Sequence, residues 1–230
     1  GTSATMATNA IDINGDFTIT NGTWNTGGLA MAVAGSWDNN GTFTHGSNTV
    51  TFDGTSGTHT IESGSATTDF YNVIFDGSGG TWTIQTDEFD VANDFTMTNG
   101  TVNQDANVDI ENDYSQTGGV FQIKSGSSPS TVTFDAGNDF TIPTGQSVYF
   151  NRWTGLGTSG SHYIIYDVYG LQAMKNQLTG KYFEVYDSFS ASATTNWTNG
   201  FKPIGDGSAS FKSYFNGNNK TITGLYINRT

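Results

Sequence analysis

Short runs of alternating apolar and polar residues, separated by turns, fill most of the chain. Phe17 and Ile19, for example, alternate with Thr18 and Thr20. A period of two is that of a strand with one buried face, and the Asn-Gly and Gly-Ser pairs between runs are typical of turns. Since residues 1–160 contain no convincing helical stripe, the pattern predicts many short strands.

These strands form a repeat. The segment 11–23 returns at 89–101, a shorter copy follows at 108–114, and the heptad 48–54 returns at 130–136. Copies are marked by a small polar pair followed by an aromatic residue, at Phe17, Trp37, Phe95, Tyr114 and Phe140. The step from Trp37 to Phe95 is close to three times the step from Phe95 to Tyr114. Interpreted as three units, it leads us to expect a repeat of roughly 19–26 residues throughout.

A repeat of this length, built from short strands, predicts an all-β parallel β-helix, or solenoid, of roughly ten coils. Like residues stack between coils in such a fold, which favours similar repeats. A sandwich or an up-and-down barrel is the competing fold. We expect Phe17, Phe95, Tyr114 and Phe140 to be buried inside the rod, while the register between residues 55 and 88 stays open.

The C-terminal third differs from the rest. Residues 1–150 hold one base and 17 acids, a net charge of −16, whereas residues 151–230 hold seven bases and four acids, a net charge of +3. We therefore divide the chain into an acidic Gly/Thr/Asn-rich part, 1–154, and a continuous second part, 155–230. The second part carries one predicted helix near 170–179, with Leu171, Met174 and Leu178 on one face and Gly180 as its C-cap.

Three motifs of the second part carry a resemblance: Lys181–Asp187, the Trp…Phe-x-Pro-Ile-Gly element of 196–205, and the aromatic and Asn-Gly-Asn-rich segment 211–228. Their succession resembles the GLUG-type repeats of filamentous-haemagglutinin-like bacterial surface proteins over residues 165–228. The resemblance implies a right-handed parallel β-helix on a secreted chain at the cell surface. We expect Gly1–Ser3 to be an expression remnant and the natural protein to continue past Thr230, because solenoids need capped ends.

Composition excludes several functions. A net charge of −13 disfavours nucleic-acid binding, which needs clustered Lys and Arg, and disfavours anionic lipid surfaces. No apolar run reaches the length of a membrane span. The absence of cysteine excludes disulfides, thiol catalysis and thiolate metal sites.

Two sets of carboxylates recur at equivalent repeat positions. One set is Asp12, Asp90, Asp109 and Asp135, and the other is Asp16, Asp94, Asp113 and Asp139. Stacked carboxylates repel, and Ca²⁺ would relieve the repulsion. The alternative, which we favour, is that each carboxylate accepts N–H bonds within its own turn.

A polysaccharide lyase or a glycoside hydrolase is the enzyme to weigh on this fold. A lyase needs a basic residue beside acidic ligands, and residues 1–150 offer only Lys124, so Arg152 is the candidate. Hydrolysis needs two carboxylates about 5–9 Å apart, and no pair is marked in the sequence. The histidines, His45, His59 and His162, lack metal-ligand spacing, and we expect exposed turn or strand positions for them.

Two binding functions also stay open. Thr-x-Thr pairs at 18–20, 42–44, 49–51, 58–60, 81–83, 96–98, 131–133 and 221–223 would suit an ice-binding face if they stacked on successive coils. Aromatic residues of the second part and its border would suit stacking on sugar rings; they are Tyr149, Trp153, Tyr163, Tyr166, Tyr169, Tyr182, Tyr186, Trp197 and Tyr226.

The preferred hypothesis is a structural stalk or adhesin segment of a large secreted bacterial surface protein, extracellular and without catalysis, cofactor or metal. Its expected partners are surface glycans or neighbouring copies, with the fragment itself a monomer. The alternatives are a carbohydrate-active enzyme and a glycan- or ice-binding module.

Overall fold

The chain folds as a parallel β-solenoid of about nine turns with one short α-helix, as a computed structural model shows for residues 2–64, 69–85, 88–143 and 149–229. The first seven turns have three sides. Sheet I comprises seven parallel strands, β2 (Ile11–Ile13), β5 (Met31–Val33), β8 (Thr49–Phe52), β10 (Asn72–Phe75), β13 (Phe95–Met97), β16 (Tyr114–Gln116) and β19 (Phe140–Thr141). Sheet II comprises β3 (Phe17–Ile19), β6 (Trp37–Asn39), β9 (Thr58–Glu62), β11 (Thr81–Ile84), β14 (Thr101–Gln104), β17 (Val120–Ile123) and β20 (Tyr149–Asn151).

The third side is divided into two short sheets. The first comprises β1 (Ser3–Thr5), β4 (Thr23–Asn25) and β7 (Thr42–Thr44), and the second, sheet III, comprises β12 (Phe89–Val91), β15 (Val108–Ile110) and β18 (Phe134–Ala136). Phe70 bridges to Val91 between them and packs 6.0 Å from Phe43 and 5.0 Å from Phe89, ring centroid to ring centroid. The apolar interior is therefore continuous along this side although its strands are not.

Stacked aromatic rings fill the interior, as the alternating pattern predicts. Phe17, Phe95, Tyr114 and Phe140 are all buried, which confirms the expected inward column positions. Successive rings lie within contact distance, and Tyr114 and Phe140 are stacked with centroids 5.3 Å apart. A chain with only 34% hydrophobic residues can build this core because each inward position of a solenoid is shielded by the coils above and below it.

The repeat is real, but its copies do not all occupy the same side. Ile11 and Phe17 lie in sheets I and II, whereas their counterparts Phe89 and Phe95 lie in sheets III and I. The long step between Trp37 and Phe95 is thus not a whole number of units, and its interpretation as three units was wrong. A strand–corner–strand motif is compatible with any corner of a three-sided coil, and only stacking fixes which corner it forms.

Coil length varies more than the repeat predicts. On sheet II, Val102 pairs with Phe121 and Phe121 pairs with Phe150, and the second of these coils is longer than the expected range. The two copies of the heptad also differ, because residues 49–52 form β8 of sheet I whereas the second copy contributes only Phe134–Ala136 to sheet III. The register between 55 and 88 is set by β9, β10 and β11, with residues 65–68 and 86–87 lying outside the described residues.

The last two turns form a different sheet and carry the helix. β21 (Trp153–Thr154) pairs antiparallel with β22 (Tyr163–Ile165), which is followed by parallel β23 (Thr179–Val185) and β25 (Lys212–Asn216). β24 (Phe189–Ser190) pairs with β26 (Ile222–Thr223), and a 3-10 helix spans Ser192–Thr195. The right-handed sense of the solenoid stays a prediction.

The helix is confirmed, but its bounds and cap differ from the prediction. α1 spans Val168–Ala173 and continues as a 3-10 helix over Met174–Asn176. The Asp167 side chain caps its start by accepting the Gly170 N–H at 2.7 Å. Gly180 is not a C-cap, since it lies in β23 at a φ of +70°, beside the register shift between Thr179 and Tyr182. The positive φ of Gly180 accommodates the register shift in this strand.

Candidate functional site

Three of the four aspartates in the first set stack as a column. Asp90, Asp109 and Asp135 pair on successive strands of sheet III, whereas Asp12 lies on sheet I opposite Ala32. Asp12 therefore does not belong to the column. The N-terminal copy of the repeat is shifted by one side of the solenoid relative to the later copies, and this shift separates Asp12 from the column.

Burial and the negative charges of neighbouring carboxylates disfavour the ionised form of two aspartates in this column. Burial, followed by the charges of Glu88, Asp109 and Glu111, raises the pKa of Asp90 to about 6. The pKa of Asp109 is also raised, by burial first and by Asp135 next. No group of three or more His, Asp or Glu residues in the described ranges has a geometry that could hold a metal ion. The calcium alternative therefore gains no support from this column.

The second set of aspartates serves the corners of the solenoid. Asp94 Oδ1 accepts the Asn112 side-chain amide at 2.7 Å, and Asp113 Oδ1 accepts the Asn138 amide at 2.7 Å and the Asp139 N–H at 2.9 Å. Asp94 and Asp113 thus accept N–H bonds from the adjacent coil rather than from their own turn. Asp16 does the same at another corner by accepting the Ser36 N–H at 2.7 Å. Asp139 does accept one within its own turn, from the Phe140 N–H at 3.0 Å, as expected.

Arg152, the candidate basic residue of a lyase, is buried and hydrogen-bonded to other residues of the chain. Arg152 is 1% exposed, and its Nε and Nη2 donate to Asp167 Oδ2 at 3.0 and 2.8 Å. It also donates to Gln104 Oε1 and, at 3.1 Å, to the Val132 carbonyl. Arg152 therefore ties the helix cap to two coils and is closed to a substrate. Lys124 forms an ion pair with Asp105.

The three histidines are separate and only partly exposed. His59 faces the core margin, 5.5 Å from the Trp82 ring, with Nε2 3.0 Å from the Ser56 carbonyl oxygen. His45 accepts the Ser47 N–H at Nδ1, and burial lowers its pKa. His162 Nδ1 lies 3.0 Å from Glu184 Oε2. We expected exposed positions, but each ring is half-buried by neighbouring side chains.

The threonine pairs do not form one array. Thr58 pairs with Thr81, and Thr60 with Thr83, on adjacent strands of sheet II. The 18–20 pair also lies on sheet II, at β3, but its neighbour on the next strand is Asp38 rather than a threonine. The remaining pairs lie on sheet I, on β7 or on β26, and 131–133 precedes β18. Since an ice-binding face needs threonines on many successive coils of one side, this distribution disfavours ice binding.

The aromatic residues of the second part divide into inward and outward groups. Trp153, Tyr169 and Trp197 are buried, Tyr149 and Tyr163 are half-buried against the core, and Tyr226 is 41% exposed near the C-terminus. The outward group, which we call the tyrosine ladder, lies on or directly after β22, β23 and β25 and comprises Tyr166, Tyr182, Tyr186 and Tyr214. Tyr182 and Tyr214 stack with centroids 4.4 Å apart, and Tyr214 is 61% exposed.

A cavity of about 250 Å³ opens where the last coils meet the end of sheet I. Its wall includes Lys175, Lys202 and Arg229, together with Asp139 and Trp197. We call it the cationic cavity. Lys175 is 4% exposed, and burial, then the charges of Lys202 and Arg229, lower its pKa to about 7.

Sequence reasoning missed this cavity. Lys175, Lys202 and Arg229 lie far apart along the chain, without a motif that joins them. The only signal was the excess of seven bases over four acids in residues 151–230, which gives a charge but no location.

Comparison of the chain with family models, curated proteins and solved structures finds no match. The GLUG-type resemblance therefore stays a prediction. No helix within residues 2–64, 69–85, 88–143 and 149–229 has both the length and the apolar character needed to cross a bilayer.

Proposed function

We propose that this chain is a structural rod, a stalk or adhesin segment of a secreted bacterial surface protein, and that it catalyses no reaction. The observation that carries the proposal is the uninterrupted aromatic core, which runs from Phe17 through Phe95 and Phe140 to Trp197. A core of this kind holds an elongated chain rigid without disulfides. The resemblance of residues 165–228 to GLUG-type repeats supports the extracellular, cell-surface location.

The engagement of Arg152 is the argument against a lyase. Its guanidinium is bonded to Asp167, Gln104 and Val132, so it cannot act as a base on a substrate. The test is incubation of the protein with pectin, alginate and glucan, with and without Ca²⁺. We expect neither reducing ends nor unsaturated products. Turnover that is lost in Asp90→Asn or Asp109→Asn would overturn the proposal in favour of a glycoside hydrolase.

Glycan binding is the second candidate, and the tyrosine ladder favours it. In each of its two pairs, an exposed ring, Tyr186 or Tyr214, packs on a half-buried one and presents an apolar face at low conformational cost, and sugars pack on such faces. Surface glycans would then be the partners of the rod. A glycan array with the native chain and with Tyr214→Ala tests this, and Leu156→Ala is the control because Leu156 is 71% exposed outside the ladder. Binding that Tyr214→Ala leaves unchanged would contradict this candidate.

A further inference from the structure

The cationic cavity has three basic side chains and, in the described part of its wall, one acidic side chain. Outside the wall, hydrogen bonds from Ser208 and Ala209 and then the charge of Lys202 lower the pKa of Asp206. Lys175, Lys202 and Arg229 all line the cavity, yet within the described ranges none of the three forms an ion pair with a carboxylate. The side-chain amine of Lys175 has no hydrogen-bond acceptor among the described residues, although the residue is almost completely buried. The Lys175 Nζ atom is not itself fully enclosed by protein; it faces the open space of the cavity, where a bound anion would reach it.

Asp139 is the only acidic residue in the described part of the wall, and one oxygen of its carboxylate already accepts two backbone N–H groups. Its Oδ1 accepts the Thr198 N–H at 3.1 Å and the Phe140 N–H at 3.0 Å. The influences that shift the Lys175 pKa are burial, Lys202 and Arg229, with no opposing contribution from a carboxylate. The indole Nε1 of Trp197, another residue of the wall, is also buried and finds no acceptor among the described residues. Donors therefore exceed acceptors around this cavity.

The cationic groups sit on a fixed framework. Gln172 Nε2 donates to the Lys202 carbonyl at 2.9 Å, and the Lys202 N–H donates to Gln172 Oε1 at 2.7 Å, so the loop is tied to α1. Arg229 donates from Nε to the Phe201 carbonyl at 3.2 Å and from Nη2 to the Gly200 carbonyl at 2.9 Å. These carbonyls position the guanidinium but leave its positive charge unneutralised.

We propose that the cationic cavity is a binding site for a small oxyanion, a sulfate, phosphate or carboxylate group that is either free or carried on a sugar. The anion would lie among the Lys175, Lys202 and Arg229 side chains and accept their N–H groups. Such charge-assisted hydrogen bonds are the strong ones, and arginine suits planar or tetrahedral oxyanions. A cavity of about 250 Å³ admits an anion of this size. This inference stands independently of the rod proposal.

The test is isothermal titration calorimetry of the intact chain with sodium sulfate, sodium glucuronate and neutral glucose at constant ionic strength. We expect sulfate or glucuronate to bind with a Kd between about 0.1 and 10 mM, and glucose not to bind. Binding of sulfate identifies a free oxyanion as sufficient, whereas binding of glucuronate alone identifies a sugar-borne carboxylate. Absence of heat with both anions overturns the proposal.

Variants locate the site. Lys175→Met retains the apolar stem and removes the charge, and Arg229→Gln removes the guanidinium; each should weaken binding at least tenfold. The matched control is Lys212→Met, because Lys212 is an exposed lysine of β25 outside the cavity wall. If Lys175→Met does not fold, Lys202→Met, at an exposed position of the wall, gives the same test. Equal affinity in the native chain and the folded cavity variants overturns the proposal.

The pH dependence gives a second readout. The charged groups facing Lys175 across the cavity are Asp139, Lys202 and Arg229. Because Lys175 titrates near neutrality, a bound anion favours its protonated form, and affinity should be higher at pH 6 than at pH 8. Lys175→Met should flatten this difference, and a pH profile that the variant leaves unchanged counts against the proposed role of Lys175.

Discussion

Phe95 and Tyr114 lie in register on adjacent strands of sheet I, with their ring centroids 5.3 Å apart and both side chains fully buried. Each ring also contacts Phe121 from sheet II, at 6.0 and 5.9 Å. One coil of the rod is thus held to the next by rings from two sides of the solenoid. The stability of the fold depends on such inter-coil contacts.

Truncation of this core should be costly. Phe95→Ala leaves a cavity that the closely packed neighbouring rings cannot fill. We therefore expect a loss of about 3–5 kcal/mol in the free energy of unfolding. Urea denaturation measures it. Tyr186→Ala, at an exposed ring, should change stability by less than about 0.5 kcal/mol, and a similar small effect of Phe95→Ala would contradict the stacked core.

Acidification should stabilise sheet III. Asp90 has a pKa of about 6 in the folded chain against 3.8 unfolded, so the folded state binds more protons between these values. The penalty for ionised Asp90 is complete above pH 6 and disappears as pH falls to about 3.8. Asp90→Asn should therefore stabilise the chain at pH 7 by roughly 1 kcal/mol, a value reduced for solvent screening, and should have no effect near pH 3.5.

Asp187 is the control for Asp90, because its pKa is shifted in the opposite direction. The Ser188 N–H and then Lys220 lower its pKa, so the folded state favours its ionised form. Asp187→Asn should not stabilise the chain at pH 7, and thermal denaturation from pH 3 to 8 measures both variants. A stabilising effect of Asp187→Asn like that of Asp90→Asn would show that the pH response is not local to sheet III.

Loss of Arg152 should destabilise the junction between the first seven turns and the helix. Arg152→Met leaves Asp167 and Gln104 without their buried donor, and we expect a cost of about 3–5 kcal/mol. Arg152→Lys should not restore stability, because one ammonium cannot reproduce the forked contacts to Asp167, Gln104 and Val132. Lys124→Met, which removes a partly exposed ion pair, should cost less than about 1 kcal/mol.

The uneven charge predicts a monomer at low salt. Residues 1–150 carry −16 against +3 in the remainder, so repulsion between copies outweighs attraction at the basic end. Analytical ultracentrifugation from ~10 to 500 mM NaCl is informative, because salt screens exposed charges over about 8 Å at physiological strength. A dimer at low salt that dissociates as salt rises would contradict this expectation and favour association between neighbouring copies.

The local pattern of this sequence determined much of the fold. Alternation at Phe17 and Ile19 identified inward and outward faces, because side-chain direction in a strand depends only on a period of two. Repeat length indicated stacked coils, and the Leu171 and Met174 spacing indicated the helix. These are properties of short segments, which is why they could be predicted without knowledge of the neighbours.

The tertiary structure decided what depends on coil register. Asp12 and Asp90 occupy equivalent sequence motifs but different sides of the rod, because a strand–corner–strand segment fits any corner and only packing against adjacent coils selects one. Gly180 likewise enters a strand because β23 pairs over that stretch. The cationic cavity is the extreme case: Lys175, Lys202 and Arg229 are far apart in sequence, and only the packing of the last coils against the end of sheet I places their charges around one cavity.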